Sequence, residues 1–176
     1  MSARPAPPTS RLVILSGPSG VGKTTIVQRL LGRMDCLTRS ISATTRDPRT
    51  KERDGIEYFF LTREAFEERI QSGEFLEHAE VFGRLYGTPR AGVATQLASG
   101  KSVILAIDVQ GAEQIRKQFS PTLSFFVMPP DMEALRARLL HRGPDDPKEI
   151  ERRLAIAQSE IARRDQYDFV VVNRDL

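Results

Sequence analysis

Residues 17–24 read Gly17-Pro18-Ser19-Gly20-Val21-Gly22-Lys23-Thr24 and match the pattern G-x-x-x-x-G-K-[ST] at every fixed position. A glycine-rich loop of this kind turns its backbone N–H groups inward, where they bind phosphate oxygens. The lysine adds a positive charge for the outer phosphates, and the threonine adds a hydroxyl for Mg²⁺. The alternative is a glycine-rich turn that matches the pattern by chance.

The sequence on either side of this loop fits a strand before it and a helix after it. Residues 12–15 are a short apolar run, and residues 25–31 carry apolar side chains at helical spacing before Gly32. A strand, a loop and a helix N-terminus together form an anion site. The sequence therefore predicts a nucleotide phosphate site that extends from Gly17 to Thr25.

The remaining apolar runs predict an α/β fold. Residues 102–107, 123–127 and 169–172 resemble the first strand, and helical patterns at 88–100, 131–143 and 146–161 separate them. Near-continuous apolar strands of this kind are typical of a parallel sheet covered on both faces. The expected architecture is a P-loop NTPase-type parallel sheet flanked by helices, with an inserted lobe and a helical lid.

The inserted lobe is richer in polar residues than the rest of the chain. It contains a strand pattern at 56–61 and an amphipathic helix at 63–72 that Gly73 ends. The expected division is a disordered tail at 1–10, core at 11–41, the inserted lobe at 42–95, core at 96–132, a lid at 133–153 and core at 154–176.

The bulk properties narrow the class of protein. The chain has 176 residues and a formal net charge of +3, which suits anionic small molecules and does not require nucleic acid, although a chance surplus of surface arginine explains it equally well. The single cysteine, Cys36, favours a reducing, cytoplasmic setting. No stretch approaches the ~20 apolar residues that span a bilayer, so no membrane association is expected.

Two clusters in the lobe are candidate ligand contacts. Arg46 and Arg49 stand beside hydroxyl residues and suit a phosphate, to which Tyr58 and Tyr86 could add phenol donors; a solvated polar loop is the alternative. Glu77 follows an apolar pair, and its two oxygens match the N1 and N2 donors of guanine; a surface glutamate is the alternative.

The core offers an acid and a set of arginines. Asp108 ends an apolar strand, at the sheet edge where open α/β folds bind ligands, and it could accept from water around Mg²⁺ or simply cap the next helix. Five arginines follow in the second half of the chain: Arg136, Arg138, Arg142, Arg152 and Arg153. Cations that close over the moving group assist phosphoryl transfer, although a charged helix face also explains these arginines.

Together these residues resemble guanylate kinase, the P-loop nucleoside-monophosphate kinase family that phosphorylates GMP. T-T-R-D-P-R at 44–49 and I-D-V-Q-G at 107–111 are the most specific parts, and the resemblance runs from residue 11 to the end of the chain. Further matching stretches are residues 15–24, 73–77, 86–89 and 172–173.

The resemblance implies an ATP:GMP phosphotransferase that depends on Mg²⁺, with dGMP as a further acceptor and a place in purine nucleotide metabolism. The residues expected to hold the GMP base are Ser42, Glu77 and Thr88. Those expected at the GMP phosphate are Arg46, Arg49, Glu52, Tyr58, Tyr86 and Asp108. Those expected to assist transfer are Lys23, Arg46, Asp108, Arg138, Arg142 and Arg153.

On the ATP side, the resemblance places Asn173 beside adenine, with Arg142 and the residues 17–25 at the phosphates and Thr24 toward the metal. Ala106 departs from the family, which usually has an acid there. The chain also stops directly after its last strand, where the family continues into a helix. If the chain is complete, we expect an uncovered core face near the ATP site and weaker ATP binding; a truncated sequence is the simpler alternative.

Two rival functions remain from the sequence. A guanylate-kinase-like module that binds proteins without catalysis would also resemble the family. Such modules have typically lost parts of the loop or of the nucleotide contacts, whereas Lys23, Arg46 and Asp108 are all present here. A kinase for another nucleotide is the second rival, which Glu77 together with Ser42 disfavours. The oligomeric state is left open.

Overall fold

A computed structural model describes residues 10–120, 122–141 and 146–175. Arg142 and residues 1–9 of the expected tail lie outside the described residues. Ser10 is described, and its hydroxyl donates to the carbonyl of Leu97 at 3.1 Å. Among the described residues, no helix has the length and apolar character needed to cross a membrane.

Nine strands and six helices are present in the described part of the chain. The strands are β1 (Leu12–Ser16), β2 (Leu37–Arg39), β3 (Ala43–Thr44), β4 (Phe59–Phe60), β5 (Phe75–Val81), β6 (Arg84–Pro89), β7 (Ser102–Ala106), β8 (Thr122–Met128) and β9 (Phe169–Val172). The helices are α1 (Lys23–Leu31), α2 (Arg63–Gln71), α3 (Arg90–Ala98), α4 (Val109–Gln118), α5 (Met132–Leu140) and α6 (Pro147–Ile161).

The larger sheet is parallel throughout and has the strand order β2-β7-β1-β8-β9. Strands β1 and β7 are neighbours, with Leu15 opposite Ala106 at their carboxyl ends. The loop after β1 and Asp108 after β7 therefore meet at one edge of the sheet, where ligands of open α/β folds bind.

Apolar side chains cover both faces of this sheet. Ile14 and Leu105 pack on one face with Ile115 of α4. Leu15 and Ile104 belong to the other cluster, together with the buried residues of α1, α5 and α6. Burial on both faces explains why these strands read as near-continuous apolar runs in the sequence.

The edge strand β9 differs from the others in exposure. Its four apolar residues are between 40 and 51% exposed, although Phe169 stacks on Phe125 of β8 with 5.0 Å between ring centroids. Strand β9 pairs in parallel with β8, and Asn173 directly after it donates its main-chain N–H to Met128 at 2.8 Å.

A second sheet, with the order β4-β3-β6-β5, forms the inserted lobe. Phe66 of α2 and Phe75 of β5 stack with their ring centroids 4.5 Å apart in a separate small core. The lobe is attached to the main sheet layer by Gln114 of α4. Its side-chain amide donates to the carbonyl of His78 at 2.7 Å and accepts from the N–H of the same residue at 3.2 Å.

Some predicted elements have different bounds in the structure. The predicted strand at 56–61 is only Phe59–Phe60, because residues 53–58 form a turn in which the N–H groups of Ile56 and Glu57 both donate to Arg53. The helix expected from Thr88 begins at Arg90, since Thr88 and Pro89 complete strand β6. Pairing across the β5–β6 hairpin, which the local pattern does not reveal, decides this boundary.

Candidate active site

A cavity of about 870 Å³ opens at the carboxyl edge of the large sheet, between the loop after β1, the lobe and α6. This volume is within the roughly 300–1,000 Å³ typical of small-molecule sites. Most of the predicted site residues line it: Gly17, Pro18, Ser19, Gly20, Gly22, Lys23, Thr24, Thr25, Ser42, Arg46, Arg49, Glu52, Tyr58, Glu77, Tyr86, Asp108 and Arg153.

Glycine is required at two positions of the loop that follows β1. Gly17 has a φ of 136°, and a Cβ there would lie 2.2 Å from the carbonyl oxygen of Val127. Gly22 precedes α1 with a φ of 93°, in the left-handed region that favours glycine. The Nζ of Lys23 donates to the carbonyls of Gly17 and, at 3.0 Å, of Pro18. The loop thus curls around the head of its own lysine at the N-terminus of α1.

Four predicted site residues among those described do not line the cavity. Thr88 is fully buried, with its hydroxyl against Glu77, and the other three are Val21 of the loop itself, Arg138 and Asn173. Val21 is fully buried, and its carbonyl accepts a hydrogen bond of 2.8 Å from the side-chain amide of Asn173. The guanidinium of Arg138 donates to the main-chain carbonyls of Asn173 and Arg174, both at 2.9 Å. These contacts join α5, the end of β9 and the phosphate loop.

The lobe side of the cavity holds an ion pair. The Nη2 of Arg46 lies 2.9 Å from Oε2 of Glu52, and both side chains are only 16% exposed. The same carboxylate accepts from the main-chain N–H of Arg49 at 2.8 Å. Burial alone would lower the pKa of Arg46, but the hydrogen bond and charge of Glu52 outweigh it and raise that pKa. Glu52 therefore fixes both the side chain of Arg46 and the backbone of Arg49.

Aromatic rings surround this ion pair. The guanidinium of Arg46 lies 5.4 Å from the centroid of Tyr58 and 5.8 Å from that of Phe60. Tyr58 and Tyr86 meet edge to face at 6.2 Å between centroids. Burial raises the pKa of Tyr58, so its hydroxyl keeps the proton that a hydrogen bond to an anion needs. An anion entering here meets both cationic and phenolic donors.

Glu77 is the most unusual titratable group in the cavity. It is 4% exposed, and the hydroxyl of Thr88 donates to its Oε1. Burial raises the pKa of Glu77 to about 7, and the nearby charge of Asp108 adds to that rise against the lowering effect of Thr88. The sequence left a surface position open for this residue. The pairing of β5 with β6 buries it instead.

Sequence reasoning missed the part played by Gly111. A Cβ there would lie 2.2 Å from Oε2 of Glu77 and 3.3 Å from Oδ1 of Asp108, whose carboxylate accepts from the N–H of Gly111 at 2.9 Å. The available signal was the glycine in the first turn of a helix, where it lowers helix stability without a local benefit. Asp108 therefore caps α4 and also faces the cavity.

Two further acidic residues of α6 line the cavity and were also missed. Glu149 accepts from Nε of Arg153 at 3.2 Å. Burial raises the pKa of Glu160, while the charge of Lys23 lowers it and that of Asp108 raises it. No sequence motif marks either residue. Both reach the site because one face of α6 borders it.

A parallel sheet whose first strand ends in a phosphate loop, with an acid after the neighbouring strand, defines a P-loop nucleotide-binding protein. A sequence model of the guanylate kinase family matches residues 9–176. The chain therefore belongs to the guanylate kinase family of enzymes, which confirms the family and the fold class expected from the sequence.

Individual relatives agree with this result. The chain is 47% identical to a guanylate kinase of Thiobacillus denitrificans, over 96% of this chain and 82% of that protein. It is 51% identical to one of Wolbachia pipientis, over 94% and 83%. The crystal structure of guanylate kinase from Anaplasma phagocytophilum aligns with a TM-score of 0.78 at 37% identity, over 95% of this chain and 78% of that one. None of these findings favours the non-catalytic alternative.

Proposed function

We propose that the chain transfers the terminal phosphoryl group of ATP to GMP and so produces ADP and GDP. The observation that carries this proposal is one cavity with two different ends. The phosphate loop with Lys23 forms one end, while Arg46 and the buried Glu77 form the other. A donor triphosphate and an acceptor monophosphate can therefore face each other within one cavity.

The donor end suits ATP with Mg²⁺. Thr24 at the start of α1 and Asp108 offer the oxygen donors that this cation prefers. Among the described residues, His, Cys, Asp and Glu form no metal-sized group of three or more, so phosphate oxygens and water would supply most ligands. When bound, the cation would neutralise charge on the donor phosphates. Asn173 would lie on the adenine side, where it already supports the loop through Val21.

The acceptor end suits GMP, with residues 42–95 as the lobe that binds it. Glu77 accepts from N1 and N2 of guanine, while Thr88 and Ser42 complete the base contacts. Adenine lacks this pair of donors. Arg46, Arg49, Tyr58 and Tyr86 bind the phosphate, and Glu52 keeps the first two in place. The 4% exposure of Glu77 supports this assignment, because a buried carboxylate strongly disfavours a ligand that leaves it unpaired.

Transfer needs position and charge more than acid–base chemistry. The GMP phosphate oxygen is already ionised near pH 7, so it attacks without a strong base. Lys23 and Arg153 stabilise the negative charge of the moving group, with Arg142 as a third cation from the expected lid at 133–153. Closure of the lobe and α6 over the cavity excludes water, which would otherwise accept the phosphoryl group.

A coupled assay of ADP release tests the proposal. With ATP held saturating, we expect GMP to exceed AMP, CMP and UMP by at least roughly 100-fold in kcat/KM. Comparable rates with AMP would overturn the assignment of guanine. No ADP release with any of the four nucleotides, from a chain that binds GMP in calorimetry, would instead favour the protein-binding module.

A further inference from the structure

The turn between β5 and β6 contains an unexpected residue. Phe82 and Gly83 are the two central residues, with Val81 opposite Arg84, and their φ angles are 52° and 73°. Two positive φ values define the hairpin turn in which Asn-Gly is strongly preferred. Phe82 is the only described residue other than glycine with a positive φ. A bulky side chain is disfavoured there, so local preference does not explain this phenylalanine.

The contacts of the ring offer an explanation. Phe82 is half-buried, lines the cavity, and reaches from the tip of the lobe to α6. The guanidinium carbon of Arg153 lies 5.0 Å from the ring centroid, and that of Arg152 lies 5.9 Å away. Both distances are within the range of a cation–π interaction.

Arg153 is therefore held on two sides. Its Nε donates to Oε1 of Glu149, one turn earlier on α6, at 3.2 Å, while the ring of Phe82 lies against its guanidinium from the lobe. The helix supplies the arginine and its carboxylate partner, and the lobe supplies the ring. Only when lobe and α6 are close together does Arg153 have both contacts.

We infer that Phe82 is a positioning residue for phosphoryl transfer, which holds the guanidinium of Arg153 over the cavity when the lobe approaches α6. The inference rests on the proposed function, because it requires Arg153 to stabilise the transferring group. The ring does not touch the reacting atoms. It links the lobe that binds the acceptor nucleotide to the arginine on α6.

Substitution by asparagine separates this role from a structural one. Asn is the favoured residue in this turn, so Phe82→Asn should keep or raise the melting temperature while it removes the ring. We expect kcat to fall roughly 2- to 30-fold, the range that a cation–π interaction supports, with the KM for GMP changed less. Phe82→Leu keeps the apolar bulk without the ring, so its kcat should fall by a similar factor. Phe82→Tyr keeps the ring and should restore kcat.

A double-mutant cycle assigns the effect to the arginine. Arg153→Met should lower kcat by itself, and Phe82→Asn should add little in that background, because residues that act through one contact are not additive. Full additivity of the two losses, or wild-type kcat in Phe82→Asn, would overturn the inference. Failure of the wild-type chain to phosphorylate GMP would instead remove the proposed function, and this inference with it.

Fluorescence provides a measurement that is independent of activity. The chain has no tryptophan and three tyrosines, so Phe82→Trp introduces a single tryptophan at the turn, an emitter that can be excited selectively over tyrosine. Adding Arg153→Met should increase the quenching of this emitter by acrylamide, because the covering guanidinium is lost. Arg163→Met, a change on an arginine paired with Glu113 away from the cavity, should leave the quenching unchanged. Equal quenching in all three proteins would contradict the contact.

Discussion

Gly111 lies so close to Glu77 that a Cβ atom on Gly111 would be 2.2 Å from Oε2 of the carboxylate. The two residues belong to different layers of the fold, one to the first turn of α4 and the other to the lobe strand β5. The absence of a side chain on α4 leaves the space that a buried carboxylate occupies. The glycine thereby fixes where the guanine-binding acid of the proposed site can point.

Gly111→Ala should therefore displace the Glu77 carboxylate. We expect kcat/KM for GMP to fall at least roughly 10-fold, the cost of a misdirected hydrogen bond to a charged group, with the KM for ATP little changed. Gly92→Ala is the matched control, because Gly92 is a glycine of α3 where an added Cβ would meet no heavy atom within 4 Å. It should leave activity intact and slightly raise stability. Equal kinetics in both variants would refute the role of Gly111.

The raised pKa of Glu77 gives the KM for GMP a pH dependence. The carboxylate pairs best with two guanine donors when it is ionised, so the KM should fall as the pH rises through about 7. Glu77→Gln should weaken GMP binding ~10- to 100-fold and remove the part of the pH dependence that comes from Glu77. Any pH dependence that remains in this variant then reports titration of the GMP phosphate. A KM profile that is the same in both proteins would exclude Glu77.

The same pKa also predicts an effect on stability with the opposite sign. An acid whose pKa is raised from 4.5 to about 7 on folding stabilises the fold below 4.5, and this contribution disappears as the pH rises through 7. The melting temperature of the wild-type chain, relative to Glu77→Gln, should therefore decline between pH 5 and pH 8. A constant difference would show that Glu77 is not buried in its neutral form at low pH.

Glu52→Gln should impair the acceptor phosphate site without unfolding the lobe. The amide oxygen can still accept from Arg49, but the charge that holds Arg46 is lost. We expect a roughly 10-fold higher KM for GMP, since a charge-assisted hydrogen bond is worth about 1.5–3 kcal/mol. Asp47→Asn is the control, because this nearby carboxylate is 92% exposed and forms only a long ion pair of 4.0 Å with Arg84. An equal rise in both variants would indicate a general charge effect.

Lys23→Met should abolish transfer and leave GMP binding largely intact. Lys23 contacts the phosphate loop through the carbonyl of Pro18, and loss of its charge should cost at least roughly 3 kcal/mol, or ~100-fold in kcat. Calorimetry of GMP binding alongside the rate assay checks both halves of the prediction. Lys101→Met, at an exposed position before β7, controls for loss of charge. Near-normal turnover in Lys23→Met would remove it from the mechanism.

Arg138→Met tests whether this residue acts on the phosphoryl group or supports the loop. Its hydrogen bonds go to the carbonyls of Asn173 and Arg174, and Asn173 in turn holds Val21. We expect a lower melting temperature and a higher KM for ATP, with kcat at saturating ATP within about threefold of wild type. A loss of kcat as large as that of Lys23→Met would instead give Arg138 a direct part in transfer.

The sequence alone determined the parallel α/β core, the phosphate loop and the family. These features depend on local patterns. Each is encoded within a few residues: apolar runs of strand length, a loop that requires glycine at Gly17 and Gly22, and helices capped by aspartates such as Asp131 and Asp146. Their bounds in the structure lie close to those that the patterns predict.

Tertiary structure decided the burial of Glu77, the need for glycine at position 111 and the contact of Phe82 with Arg153. Each depends on residues far apart in the chain: Glu77 and Thr88 across a hairpin, Gly111 against β5, and the turn at Phe82 against α6. A local pattern records which side chains are apolar and how they are spaced. It does not record which surfaces meet, and here that meeting sets the exposure, the pKa and the orientation of the residues in the cavity.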